Sequence, residues 1–402
     1  MASPASLPRI TILGSLNMDL VAYVPHHPLP GETLTSNHFN TSPGGKGANQ
    51  AVACGKLSRA ADLTNASAVV SMVGAVGADP YGTLLLDSLR SFGVAVDAVA
   101  VRQDQKSGLA IIVVDEPSGQ NRIILSPEAN HSLRPSDFES LPGPRPDLLI
   151  MQLEIPFDTV IQALKAAKAD GVPVLLNPAP AQPLPEDAYE GLAHLVVNET
   201  EAAILADCAE SELDDLDGLN RVGRVFIDRG VQNVIITLGG RGVYYVNKGG
   251  KSALLPATKT TVVDTTAAGD TFVGSYALAV VAAQGGDFDI EAAVTTANRA
   301  AAKTVSRKGA QISIPWKDEL EEAPDGTLWS ESTGDWGPTQ GVFPFRGRPG
   351  CGPSVPASLA AREGGSPPLW VDMQADAALP QLDAARLTSV CEDEYLTRSW
   401  SR

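Results

Sequence analysis

Ile10-Thr11-Ile12-Leu13-Gly14-Ser15-Leu16-Asn17-Met18-Asp19 sets a short β-branched run directly ahead of a glycine and a cluster of small polar residues. The run, 10–13, reads as a strand. The residues after it stand at its carboxyl end, where open α/β sheets bind ligands. The same pattern recurs at 148–151, 172–176, 195–197 and 234–237. These runs are apolar on both parities, which suits strands covered on both faces. Between them 48–56, 156–169, 200–206 and 216–229 read as helices. Strand and helix in alternation predict an α/β fold: a Rossmann-type sandwich with a mainly parallel sheet flanked by helices.

A second pattern interrupts the first. Residues 20–24, 32–40, 108–115 and 121–126 read as strands with no helix between consecutive members. They predict a small separate β-sheet, a lid over the open end of the main sheet. The polar stretch 57–68 reads as a surface loop. Beyond Leu320 the composition changes. Residues 321–402 hold nine Pro and nine Gly, twelve acidic against six basic side chains, and four of the five Trp. The expected organisation is one α/β domain over 1–320, with lid strands about 20–40 and 108–126, and a disordered Pro/Gly-rich tail over 321–402.

The 402 residues are 44% hydrophobic, 19% charged and 5% aromatic, so the core is built mainly from Val, Ile, Leu and Ala. A formal net charge of −17 argues against non-specific binding to nucleic acid or anionic membrane, though not against a local positive pocket. No apolar run is long enough for a transmembrane helix, and the N-terminus lacks the pattern of a signal peptide. Cys54, Cys208, Cys351 and Cys391 are scattered without metal-binding spacing. They predict reduced thiols in a cytoplasmic protein, with the nucleus also open to it.

Five segments carry chemistry. Val262-Val263-Asp264-Thr265-Thr266-Ala267-Ala268-Gly269-Asp270-Thr271-Phe272 runs into an Ala/Val-rich helix ending near Ala283. Small residues ahead of a helix let an anion approach its free N–H groups, where the helix dipole favours negative charge. Asp270 is then placed to take a proton from an attacking hydroxyl, or merely to cap the helix. Ser42-Pro43-Gly44-Gly45-Lys46-Gly47-Ala48-Asn49-Gln50-Ala51 is no Walker loop, because the required spacing is absent. Its glycines serve either tight packing or a polyol held by Lys46 and Asn49. Asn17 and Asp19 offer an amide and a carboxylate to vicinal hydroxyls, or close an Asx turn. Asn198-Glu199-Thr200-Glu201 offers oxygens to Mg²⁺ through water, or a capped helix start. Thr237-Leu238-Gly239-Gly240-Arg241-Gly242 forms a Gly-rich turn after a strand, fit to lie against a nucleotide.

Eight motifs stand in register between Ile10 and Lys317. They are G-S-L-N-M-D, P-G-G-K-G-A-N-Q-A, M-Q-L-E, N-P-A-P-A, N-E-T-E-A, T-L-G-G-R-G-V, D-T-T-A-A-G-D-T-F and R-K-G-A-Q. In this set and order the chain resembles the ribokinase-like carbohydrate kinase family. The resemblance implies ATP-dependent phosphorylation of D-ribose at O5, giving D-ribose 5-phosphate and ADP. The alternatives are a related kinase for another sugar or a nucleoside, such as a fructokinase or adenosine kinase, and an inactive sugar-binding protein. Intact Asp270 with its A-A-G lead-in weighs against the last.

The resemblance also implies roles. Asp270 acts as general base, and Gly269 helps form an anion hole. Asn17, Met18, Asp19, Gly45, Lys46, Gly47, Ala48, Asn49 and Glu154 hold the sugar. Asn198, Thr237, Leu238, Gly239, Gly240, Arg241, Gly242, Gly269 and Asn298 contact ATP. Glu201 organises Mg²⁺ through water. Asp264, Thr266, Thr304, Arg307, Gly309 and Ser313 match loops that bind a monovalent cation, usually K⁺. A homodimer paired through lid strands is the implied assembly.

Overall fold

The computed structural model describes residues 6–283 and 286–320. The expected disordered tail, 321–402, lies outside the described residues.

A nine-stranded sheet forms the centre. Its strands are β1 (Arg9–Leu13), β4 (Val69–Gly77), β5 (Ala95–Arg102), β8 (Leu148–Met151), β9 (Val174–Leu176), β10 (His194–Asn198), β11 (Asn233–Thr237), β12 (Val243–Asn247) and β13 (Ser252–Leu255). Their spatial order is β13-β12-β11-β10-β9-β8-β1-β4-β5. Pairs from β5 to β11 are parallel, and β12 and β13 add an antiparallel margin. The expected α/β sandwich is therefore present, with β4, β5, β12 and β13 widening the sheet beyond the strands outlined by the sequence pattern.

Helices cover both faces. They are α1 (Lys46–Leu57), α2 (Pro80–Ser91), α3 (Phe157–Ala169), α4 (Glu199–Ala206), α5 (Leu216–Asp228), α6 (Ala268–Ala282) and α7 (Ile290–Val305). Successive strand side chains face opposite ways and feed two cores. Ile10, Ile12, Leu148, Ile150 and Ile235 pack with α1, α2, α6 and α7. Leu13, Leu149, Met151, Val234 and Ile236 pack with α3, α4 and α5. Each fully buried aliphatic side chain contributes roughly 1.5–3 kcal/mol, so these short strands are held chiefly by burial.

The chain runs from β1 outward to β4 and β5, then returns to lay β8 on the other side of β1. The order of strands reverses between β1 and β8. A crevice opens beyond the carboxyl ends of strands at such a point. Residues that follow β1 and β8 therefore share one site.

The second sheet has the order β3-β2-β6-β7, from β2 (Asn17–Val24), β3 (His38–Gly44), β6 (Gly108–Asp115) and β7 (Asn121–Ser126). The expected strand 32–40 is displaced. Glu32 is spent on a turn, accepting bonds from the Leu29 N–H at 2.9 Å and from His26. The ladder instead starts at His38 and continues through Pro43 to Gly44, opposite Tyr23 to Asn17. Pro43 is tolerated because β3 is an edge strand of this sheet.

Helices α1 and α6 approach at Gly274, where an added Cβ would meet the Ala53 methyl and the Cys54 backbone. Gly274→Val should therefore cost roughly 1–3 kcal/mol through overpacking. Urea unfolding monitored by circular dichroism should show the midpoint fall with an unchanged slope.

Candidate active site

Gly45 caps α1 at φ 88°, a conformation open to glycine and strained for other residues. This turn brings the first residues of α1 onto the segment after β1. The Ala48 N–H donates to the Ser15 carbonyl at 2.9 Å, and the Gly47 N–H to Ser15 Oγ at 3.3 Å. Ser15 Oγ in turn donates to Glu154 Oε2 at 2.5 Å. The same oxygen accepts the Lys46 N–H at 3.1 Å and faces Asn17 Nδ2 at 3.5 Å. Glu154, which follows β8, is thus fastened to the segments after β1 and β3.

Asn17 and Asp19 lie on one face of β2. Met18, between them, turns to the other face and is buried. This corrects the expectation for Met18: its side chain belongs to the core, so only its main chain is left for a sugar. Asp19 rests over Gly44, where a Cβ would collide with the carboxylate.

Asp270 is the third residue of α6. It does not cap the helix. The cap position is Ala267, at φ 60°, with no side-chain cap bond. Asp270 instead accepts Asn49 Nδ2 at 3.1 Å and Gln50 Nε2 at 3.0 Å, one on each oxygen. The Gly269 and Asp270 N–H groups precede the first bond of the helix, which Thr271 makes to the Ala267 carbonyl at 2.8 Å. A Cβ on Gly269 would meet no protein atom within 4 Å. An anion can therefore come close to the helix start.

Four carboxylates and one ammonium act on one another in this crevice. Asp19 is pushed up to about 7 by burial, then by the charges of Glu154 and Asp270. Burial also raises Asp270, and Glu154 adds to it, against the pull of Lys46, Gln50 and Asn49. Burial works against the Lys46 ammonium, but Asp270, Glu154 and Glu201 hold it above its ordinary value. Burial raises Glu201 against the Asn198 N–H and Lys46.

The expected nucleotide residues lie along the ends of β10 and β11. Asn198 and Glu201 form a reciprocal capping box at the start of α4, with bonds of 2.9 and 2.8 Å. Thr237 Oγ1 donates to the Val197 carbonyl at 3.3 Å, and Leu238 is buried. Gly239 and Gly240 stand open, whereas Gly242 packs against the Leu255–Ala257 backbone. Arg241 pairs with Glu199 and donates to the Leu213 and Asp214 carbonyls. Asn298 donates to the Pro256 carbonyl at 2.8 Å.

The expected cation loops meet. Asp264 accepts the Thr266 N–H at 2.9 Å and its hydroxyl at 2.6 Å, and its other oxygen accepts the Gly309 N–H at 2.9 Å. Burial works against Asp264, but these bonds hold its carboxyl below the usual range. Thr304 reaches α6 through the Thr271 hydroxyl at 2.9 Å. Arg307 pairs with Glu319, and Ser313 bonds the Ala310 carbonyl, so these two side chains are engaged inside the protein.

The residues that sequence reasoning missed are Ser15, Gln50, Asn130, Gln152, Asn177 and Gln311. Gln50, Gln152 and Gln311 sit inside motifs already singled out. Their signal is polarity at positions otherwise given over to packing. A cleft of about 320 Å³ at the opposite, amino-terminal ends of β9 and β10 is lined by aliphatic side chains with Lys165, Lys168, Asp187 and Glu190, and holds none of these groups.

A parallel sheet with a reversal in strand order, a helix start open to an anion and a carboxylate beside it define an α/β phosphoryl-transfer site. Residues 7–317 match the model of the pfkB family of carbohydrate kinases, and the chain belongs to that family. It is 43% identical over 312 residues to the ribokinase of Schizosaccharomyces pombe, covering 76% of this chain and 95% of that one. It is 37% identical over 318 residues to the ribokinase of Haemophilus influenzae, covering 78% and 97%. The structure of Arabidopsis thaliana ribokinase complexed with ribose and ATP superposes with a TM-score of 0.68 at 30% identity, covering 78% and 98%. The ribokinase fold, a large parallel sheet with a separate small one, is thus the fold of this chain.

The raised pKa of Asp19 has a consequence for stability. Between the unfolded value near 3.8 and the folded value near 7, the folded state holds the extra proton, so stability falls as pH rises. Asp19→Asn should raise Tm by about 3 °C or more at pH 8 and have little effect at pH 4. Calorimetric melts at the two pH values check this.

Proposed function

We propose that the chain transfers the γ-phosphoryl group of ATP to the primary hydroxyl of D-ribose, giving D-ribose 5-phosphate and ADP. The observation that carries this reading is Asp270, half-buried in the first turn of α6 beside N–H groups open to an anion. As the hydroxyl oxygen bonds to the γ-phosphorus, Asp270 takes its proton, and the bond to the bridging oxygen of ADP breaks. The Gly269 and Asp270 N–H groups and the α6 dipole meet the charge that develops. Two amide donors on Asp270 oppose the effect of burial, favouring its ionised form, and fix its direction.

Asn17, Asp19, Lys46, Asn49 and Glu154 are the candidate sugar ligands, since all converge on the crevice between β1 and β8. The open Gly239–Gly240 turn and the α4 start supply the nucleotide side. Among the described residues no group of three or more His, Cys, Asp or Glu is placed to hold a metal. Glu201, at the start of α4, would reach a Mg²⁺ on the phosphates through water, and the ion would supply charge neutralisation there. Asp264, ionised and bridging two loops, suits a K⁺ held beside them. The lid leaves Ile123, Ile124 and Phe39 exposed on its edge strands, which supports a homodimer through the lid. A cytoplasmic or nuclear location fits the acidic charge and scattered cysteines.

Asp270→Asn should lower turnover about 10²–10⁴-fold while ribose and ATP binding, measured by calorimetry, persist. Near-normal turnover would reduce Asp270 to a structural role. An ATP-coupled assay over ribose, 2-deoxyribose, fructose and adenosine tests the substrate, with the highest kcat/KM expected for ribose.

A cation in the Asp264 loops would order the segment leading to α6. Turnover should therefore rise with KCl more than with LiCl at fixed ionic strength and saturating Mg²⁺, mainly in kcat. Equal rates in both salts, independent of either, would remove the cation from the mechanism.

A further inference from the structure

We infer that Gln311 and Gln152 are positioning residues, the second rank of an amide relay that turns the NH₂ groups of Asn49 and Gln50 toward Asp270. The inference rests on the reading of Asp270 as general base. A side-chain amide has a donor end and an acceptor end of nearly equal shape. Flipped, it would set a carbonyl oxygen against the carboxylate. The partner at its far end decides between the two arrangements.

That partner is an amide donor in every case. Gln311 Nε2 donates to Asn49 Oδ1 at 3.1 Å, which leaves Asn49 Nδ2 for Asp270 Oδ2. Gln152 Nε2 donates to Gln50 Oε1 at 2.6 Å, which leaves Gln50 Nε2 for Asp270 Oδ1. Asn130 Nδ2 donates to Asn17 Oδ1 at 2.8 Å, which turns Asn17 Nδ2 toward Glu154. Two members, Asn130 and Asn177, are fixed by main-chain groups and cannot flip. Asn130 bonds both the N–H and the carbonyl of Leu16, at 2.9 and 3.0 Å. Asn177 Nδ2 gives to the Val196 carbonyl at 2.9 Å, so its oxygen must accept from Gln50 Nε2, also at 2.9 Å.

The two arms differ in strength. Gln50 is locked twice, by Gln152 and by Asn177. Asn49 is locked by Gln311 alone, which is itself held by the Ser88 hydroxyl at 3.0 Å. Gln152 has a further feature. Its Oε1 is buried with no hydrogen-bond partner, against the backbone of Gly14. Within the site Gln152 thus acts through its donor end, the Nε2 on Gln50 Oε1.

The charged groups around Asp270 are Lys46 on α1, Asp19 on β2, Glu154 after β8 and Glu201 on α4. None changes in the variants proposed. Gln311→Met keeps the volume and removes the donor. The ascending pH limb of kcat, measured with ribose and ATP saturating, should move up by about one unit, the equivalent of one lost charge-assisted bond. At pH values below the midpoint of the limb kcat should fall roughly tenfold with the KM for ATP unchanged. Gln152→Met should move the limb in the same direction by less, because Asn177 still holds Gln50. Its Tm should stay near wild type, since one unpaired buried acceptor replaces another. If Gln311→Met does not fold, Gln311→Asn stays neutral and polar, withdraws the donor from Asn49 by one methylene, and must move the limb in the same direction. An inactive Asp270→Asn with limbs unmoved in the glutamine variants would overturn the relay alone. Full turnover in Asp270→Asn would overturn the reading beneath it.

Discussion

The packing of α1 against α6 holds the rest of the site in place. Small residues at the crossing, Gly274 facing Ala53 and Cys54, bring the two helices close enough for Asn49 and Gln50 to reach Asp270. Without that approach the carboxylate would face the crevice with no donors, and burial would raise its pKa further. The A-A-G lead-in, the positive φ of Ala267 and the open space at Gly269 matter only once Asp270 is so held. A contact between small residues of two helices thus sets the donors that favour the ionised form of one carboxyl group.

The crevice is electrostatically costly. Asp19, Glu154 and Asp270 oppose one another, and Lys46 is the cation shared among them. Such an arrangement lowers stability and is what a site for a neutral polyol and a highly charged nucleotide requires. Dipoles and charges are set in advance of the ligands, so little reorganisation accompanies the reaction. The amides around the carboxylates extend the same logic inward, from side chain to side chain to main chain.

The sequence made the main architecture readable because strands buried on both faces are apolar throughout. Placement of 10–13, 148–151 and 234–237 needed nothing more. The strand in 32–40 was misplaced because its register depends on pairing with β2, a long-range fact, and because Pro43 discourages a strand reading where an edge permits it. Asp270 was recognised as the base candidate, yet the same four letters fit a cap. Only its distance from Asn49 and Gln50, more than two hundred residues away in the chain, separates the two. Met18 was grouped with its neighbours by motif, and strand alternation turned it inward. Gln152 and Gln311 were in view without a role, because one-dimensional order does not say which amide faces which. Asp264 and Gly309 were assigned to one place by resemblance, and their direct bond brings the two loops together.

Gly14, Ser15 and Leu16 are all that separates β1 from β2. The first strand of the main sheet therefore runs almost directly into an interior strand of the small sheet, and Asn17 and Asp19 sit at the join. Shape-sensing and covering are properties of one continuous ribbon. A lineage that altered its lid to admit a different ligand would alter the residues reading that ligand in the same stroke. An engineer grafting a lid from a relative would inherit its taste along with its geometry. Preference and enclosure are then a single heritable unit, and neither is free to drift alone.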